Sequence, residues 1–386
     1  GEEIVNTPAK EVTRGFLYDR KFENPNLSFF EPDLSSYKDL GKTLLEILAH
    51  ENIASREPIY EKYDKQVQGR VSIESGVADS GVLTPFNSTD YPKEIRKVGI
   101  ALSTDHNPRY SMISPYWGGV NAVVEAMRNV ASVGATPHAI TDCLCYGNPE
   151  KPKQMWEFVE GTRGISDACN AITLKDNPSY PTPIIAGNVS FYNESKNGPI
   201  PPSPIVSCLG RLKDIDYVLS MDFQSSGSDI LMVGERKDEL GGSIYYQLLG
   251  ELGANVPKPD FIEVRSQIFA ITDCAEGGLI LSCHDISDGG IATSIAEMTF
   301  RKNIGCLVKI PGDLQDHKIL FSETGGFVIE TKKENTENVI KVFKAHGLHA
   351  SKIGETGGEY IQLNETIKVK VREARHRWEN GLREKL

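Results

Sequence analysis

The sequence lacks most of the features that would settle its class at a glance. No apolar run in its 386 residues approaches the roughly 18 that a membrane-spanning helix needs. It has no GxxxxGK[ST] phosphate loop, no GxGxxG opening a helix after a strand, and no GxSxG turn. A Cys-His-Glu glutaminase signature is also missing. The seven cysteines include no Cys-x-x-Cys pair, which removes the usual spacing of a zinc site. Most of them sit in apolar runs such as IVSCLG and ILSCHD, so reduced thiols in a cytoplasmic protein are expected rather than a disulfide framework. Positive charge is not in excess either: the formal net charge is −11, which argues against non-specific nucleic-acid binding but not against a nucleotide site, where a few local donors and a cation suffice. The start, Gly1-Glu2-Glu3, is neither basic nor apolar, so no secretory signal is expected. A chain that begins with glycine is expected to come from processing or from excision out of something longer.

What is present is an ordinary globular composition, 39% hydrophobic and 25% charged, at a length that implies two or three domains. Residues 1–58 read as a leader: NPNLSFFEPDLSSY is rich in turn formers, and LGKTLLEILAH then carries Leu44, Leu45, Ile47 and Leu48 at helical spacing. A first α/β unit, 59–214, follows. KVGIALSTD (97–105) predicts a strand, and residues 117–135 predict a helix with Val120, Val123, Val124, Met127 and Val130 on one stripe, stopped by Gly134. Strand 138–147, helix 153–172 and strands 183–192 and 203–212 complete it. The second unit, 215–386, is expected to hold strand 229–235, helices near 241–252 and 262–275, strand 279–285, helix 288–300, strands near 305–310 and 319–330, helix 335–347 and a basic helical tail with a solvated face. Strands and helices alternating in both units predict an α/β (α+β) layered fold.

Three segments put polar residues at strand ends, where a rigid scaffold presents them to a ligand. In STDHNPRY, Arg109 has the geometry for a phosphate or carboxylate and Asp105 for a metal, although Asp105 and Asn107 equally suit a turn bonded to local backbone. In AITDCLCYGNPEKP, Asp142 interrupts an apolar strand, where a carboxylate is costly unless it is paired, metal-bound or at the strand mouth. In IIAGNVSFYNES, Gly187 permits close backbone approach, and Asn188 and Ser190, two apart, face one side; the bland reading is a glycine bulge. In HDISDGG, capping by Ser287 or Asp288 with a satisfied His284 is the simpler expectation, and FSETGGF is similarly ambiguous at Glu323.

These strings, together with EPIYEKYDKQV, PYWGGVNAVVEAMRNVASVGA, GISDACNAI and PPSPIVSCLGRL, resemble the C-terminal half of phosphoribosylformylglycinamidine synthase from about Leu40 onward. TDxxxxGNPEKP and GNVSxYNES are specific to that family; aminoimidazole ribonucleotide synthetase shares the fold but not these strings. The resemblance implies an aminoimidazole ribonucleotide synthetase-like N-terminal domain and its C-terminal partner domain, one half of a pseudo-dimer. It implies a cytoplasmic ligase of purine biosynthesis that uses ATP, Mg2+ and ammonia to convert formylglycinamide ribonucleotide to the amidine. The implied partners are the N-terminal half and a glutaminase subunit or domain, with no nucleic acid and no membrane. Carried over position by position, Asp142 and Gly187 contact ATP, Asn188 ligates magnesium and Ser190 touches the ribonucleotide. The family's catalytic half has an SHNHP string and an Arg-Asp pair where this chain has TDHNPRY and Arg128-Asn129. No catalytic residue is therefore assigned, His106 included, and the chain alone is expected to be inactive. Asp105 and Arg109 would fit an auxiliary nucleotide site. The competing reading is a non-catalytic, homodimeric nucleotide-binding or regulatory module of the same fold.

Overall fold

The structure is a computed structural model that describes every residue except 1, 4, 16 and 35–38. The end of the turn-rich NPNLSFFEPDLSSY segment falls outside the described residues.

The first unit is a six-stranded sheet in the order Val71–Ile73, Gly81–Leu83, Gly99–Asp105, Ser203–Leu212, Thr136–Cys145, Ile184–Ser190. All neighbours are antiparallel except the last pair, which is parallel because helix Pro152–Ala171 carries the chain back over the sheet between them. Helix Pro115–Ser132 lies on the same face. Ser114 caps it through Trp117 N (3.4 Å), Pro115 opens its first turn, and Gly134 at φ 84° ends it. The stripe predicted from the sequence is fully buried: Val120, Val123, Val124, Met127 and Val130 are each 0% exposed. Each stabilises the fold by about 1.5–3 kcal/mol relative to exposure.

The two helices touch backbone to backbone. A Cβ on Gly119 would lie 2.2 Å from Gly161 O, and one on Gly164 would lie 2.1 Å from Tyr116 O. Glycine inside a helix costs about 0.5–1 kcal/mol, and the close crossing is the reason it stands at these positions.

The second unit is a seven-stranded sheet in the order Ser282–Ile286, Gly326–Thr331, Asp229–Val233, Ala350–Thr356, Cys306–Val308, Tyr360–Leu363, Ile367–Lys370. Alternation along strand 229–233 separates two cores. Leu231 and Val233 face the first, with Ile268 and Ile271 of helix Phe261–Glu276 and Val339 and Phe343 of helix Thr336–Ala345. Ile230 and Met232 face the second, with Ile291 and Ile295 of helix Gly290–Phe300. The first core is continuous with that of the first unit, so helix 261–276 joins the two sheets through shared apolar packing.

Three expectations need correction. Helix Leu40–Leu48 is not outside the body: Leu44, Ile47 and Leu48 are buried in the second core, and Asp39 caps the helix through Lys42 N (2.9 Å). Residues 319–321 belong to helix Asp316–Phe321, because the run Ile-Leu-Phe is fully buried and its length alone cannot tell strand from helix. The helix expected over 241–252 shrinks to Ile244–Leu248, bounded by Gly242 and Gly250 at positive φ. The basic tail is the expected helix, Val371–Asn380, with Arg372, Glu373, His376 and Arg377 on its solvated face, Val371 and Ala374 buried and Trp378 against Phe300 (ring centroids 5.5 Å).

Gly164→Ala tests the helix crossing. Alanine improves helix propensity by about 1 kcal/mol, yet overpacking should cost about 1–3 kcal/mol. A lower urea midpoint with unchanged slope is expected, and an unchanged or higher midpoint contradicts the crossing.

Candidate functional site

Strands 136–145 and 184–190 run side by side with Asp142 opposite Gly187, Cys143 opposite Asn188 and Cys145 opposite Ser190. A Cβ on Gly187 would lie 2.3 Å from Asp142 Oδ1, so the carboxylate rests over bare backbone and any side chain at 187 would displace it. Burial pushes the Asp142 carboxyl above its ordinary range. Asp142 and Gly187 thus form one unit on the helix-covered side of the sheet.

Asn188 and Ser190 share the other face, as their two-residue spacing predicts. The backbones of Asp142 and Asn188 are neighbours across the strand pair, but their side chains leave opposite faces of the sheet. Beyond the strand ends, Asn193 Nδ2 donates to Tyr146 O (3.0 Å) and Ser190 O (2.9 Å), tying the two strands together. Tyr192, at φ 60°, donates from its hydroxyl to Glu150 Oε1 (3.0 Å), and Lys151 Nζ pairs with Glu194 Oε2 (2.7 Å). The strings GNPEKP and YNES are therefore two halves of one interlocked turn. Strand 184–190 is a sheet edge and is exposed along nearly its whole length.

A second constellation lies where the two units meet. Asp105 ends strand 99–105, Glu125 and Arg128 come from helix 115–132, His284 and Asp285 from strand 282–286, and Asp79 from the loop before strand 81–83. Potential ligand atoms of Asp79, His284 and Asp285 lie within 4.8 Å of one another. His284 Nδ1 is 2.8 Å from Asp79 Oδ1 and its Nε2 is 2.9 Å from Glu297 Oε2. Burial opposes protonation of this imidazole, but Asp79 and Glu297 overcome it and hold the pKa well above the usual value. Arg128 Nε stands 3.6 Å from Asp285 Oδ2, and its Nη2 is 3.9 Å from Glu125 Oε2.

Arg128, the imidazolium of His284 and the more distant guanidinium of Arg56 do not balance these carboxyls. Burial, with the charges of Asp288 and Asp285, pushes Asp105 up to about 8. Burial and Asp79 push Asp285 up to about 7, and burial alone leads the rise of Asp288 to about 6. Glu125 rises too, by burial and Asp105. The carboxylate oxygens suit a hard divalent cation, with the His284 imidazole as the one nitrogen of the group. A cavity of about 430 Å³ opens beside it, lined among others by Asn52, Ser55, Arg56, Tyr60, Asp79 and Trp378.

Of the residues read from the sequence, Asp105 joins this cluster, with Asn129 Nδ2 at 3.5 Å. Arg109 does not: its Nη2 donates to Glu251 O. Helix 290–300 receives no side-chain cap from Ser287 or Asp288; Gly289 stands at its N-cap with φ 79°. Instead Ser287 Oγ donates to Asp285 Oδ1 (3.1 Å), and Asp288 Oδ1 accepts from Asn107 Nδ2 (3.2 Å). Glu323 Oε1 accepts from Gly289 N (2.7 Å) and Ile244 N (2.8 Å), and Tyr110 donates its hydroxyl to Oε2. Sequence reasoning missed Asp79, Glu125 and Asp285. The signal available was Glu125, a carboxylate three residues before Arg128 on the buried side of a helix whose stripe is otherwise apolar.

Two family models match in order: AIR synthase related protein, N-terminal domain, over residues 79–212, and AIR synthase related protein, C-terminal domain, over residues 225–363. Phosphoribosylformylglycinamidine synthase subunit PurL of Methanothrix thermoacetophila is 44% identical across 100% of this chain and 50% of its own length. The chain spans about half the length of the curated relatives it matches. Among solved structures, Thermotoga maritima PurL complexed with FGAR superposes with a TM-score of 0.68 at 18% identity, covering 89% of this chain and 54% of that one. The same protein complexed with ATP gives 0.59 at 19%, covering 86% and 52%. At such identities the superpositions speak to the fold, which is the mixed α/β architecture described above. Carrying both domains in order, the chain belongs to the AIR synthase related family and is similar, along its whole length, to the phosphoribosylformylglycinamidine synthase subunit PurL.

Proposed function

We propose that the chain is the C-terminal half of a phosphoribosylformylglycinamidine synthase, an ATP-dependent ligase of purine biosynthesis that converts formylglycinamide ribonucleotide to its amidine. The observation that carries this is the 44% identity to PurL over the whole chain, at half the relative's length. Asp142 and Gly187 contact ATP, Asn188 is a magnesium ligand, and Ser190 touches the ribonucleotide. Two features support the reading. Asn188 and Ser190 share one face of an exposed edge strand, open to a partner. The uncovered side of the sheet also exposes Leu83 (46%) and Leu102 (52%), apolar surface suited to a second half. That N-terminal half supplies the acid/base, and a glutaminase subunit or domain supplies ammonia. All seven cysteines are free, in keeping with a reducing cytoplasm, and no described helix is long and apolar enough to cross a membrane. The names of the relatives favour the synthase over a homodimeric regulatory module.

Asn188 would hold the magnesium ion, which when bound would supply the charge compensation that phosphoryl transfer to the amide oxygen needs before ammonia displaces the phosphate. The group of Asp79, His284 and Asp285, with Asp105 and Glu125 beside it, fits a second cation, with nucleotide phosphates in the adjoining cavity as its auxiliary ligand.

Two measurements test this. The chain alone should form no amidine from formylglycinamide ribonucleotide, ATP, Mg2+ and ammonium. Turnover should appear when the N-terminal half is added; absence of turnover in that mixture contradicts the assignment. The second concerns the acidic cluster. Carboxyls raised to about 6, 7 and 8 bind more protons folded than unfolded, so stability present at low pH is lost as pH rises through those values. The melting temperature of the metal-free chain should fall between about pH 6 and 8, and Mg2+ should raise it more at pH 8 than at pH 6. No Mg2+ effect at pH 8 removes the second cation site.

A further inference from the structure

Five of the seven cysteines are buried; only Cys143 and Cys145 are half-exposed. They stand two residues apart on strand 136–145, on the face opposite Asp142, and so point the same way. Their Sγ atoms are 3.8 Å apart, and among the described residues the only hydrogen-bond-range contact of either sulfur is with the other. Two ligands at about 2.3 Å from a tetrahedral centre are separated by about 3.8 Å. A disulfide needs a sulfur separation of about 2 Å, and residues i and i+2 of an extended strand hold their Cα atoms near the upper limit of about 6.8 Å at which one closes. The strand therefore resists a disulfide and already sets the bite of a shared cation.

From this we propose that Cys143 and Cys145 form a bidentate thiolate site for a thiophilic divalent cation of the zinc and cadmium class. Binding forms two metal–sulfur bonds and releases two thiol protons to solvent. Water completes the coordination, and Asn188 and Ser190 on one side, with Ser203 on the other, stand in register with the pair and offer oxygen atoms. Soft sulfur selects against magnesium, which prefers oxygen. The site therefore adjoins the proposed magnesium ligand without duplicating it, and a soft ion there stands in the path of whatever approaches Asn188. The inference rests on the thiol geometry and not on the synthase reading.

The test is titration of the reduced chain with cadmium chloride, followed by the ultraviolet thiolate-to-cadmium charge-transfer absorption and by proton release. Saturation at one ion per chain is expected, with Cys143→Ser and Cys145→Ser each weakening binding by about 10–100-fold or more. Circular dichroism of both variants checks that they remain folded. Absence of the absorption in the parent chain overturns the proposal. So does absorption that persists undiminished in both folded variants, since it would then arise from other thiols.

Discussion

The arrangement of the candidate site depends on one pairing: the parallel association of the edge strand 184–190 with strand 136–145, regular from Thr141 opposite Ala186 to Cys145 opposite Ser190 after an irregularity at Ile140. Parallel neighbours require a crossover, and helix 152–171 provides it, seated on the sheet through glycines that let it approach helix 115–132 without side chains between them. Once the register is set, strand alternation leaves no freedom. Asp142 and Gly187 fall on the covered side, and Asn188 and Ser190 on the open side with Cys143 and Cys145. A slip of one residue would exchange every one of these. The hydrogen bonds of Asn193 across the strand ends pin that register.

The second constraint is electrostatic. Burial first, and mutual repulsion second, raise the pKa of the carboxyls gathered at the junction of the two units, and His284 and Arg128 only partly compensate them. The fold tolerates this because the second sheet and helix 115–132 are fixed by the shared apolar core, which holds the acids together whether or not a cation is present. Local cost at a site supported by a rigid surround is the usual signature of function rather than of stability.

Much of this was legible in the sequence, and the failures have physical causes. The stripe from Val120 to Val130, the stop at Gly134 and the shared face of Asn188 and Ser190 follow from period and backbone sterics, which are local. Asp142 was recognisable because a carboxylate in an apolar strand is costly. That its side chain and that of Asn188 diverge follows from the register between two strands some 40 residues apart, which no local pattern encodes. Asp79, Glu125 and Asp285 come from three separate segments, and only packing of the two units brings them together. Ser287 and Asp288 carry the sequence signature of a helix cap, yet Gly289 takes that place and frees Ser287 for Asp285 and Asp288 for Asn107. Helix 40–48 showed its apolar stripe but not its destination, since a buried face does not name the core that receives it.

The measurement that bears most directly on the account is the Mg2+ dependence of turnover for Asn188→Ala, assembled with the N-terminal half and compared with the parent chain. Loss of a metal ligand on the open face should lower turnover by about 10–100-fold and raise the Mg2+ requirement, with folding unchanged. Parent-like turnover at parent-like Mg2+ concentrations would contradict the claim that this strand pairing presents Asn188 to the metal nucleotide.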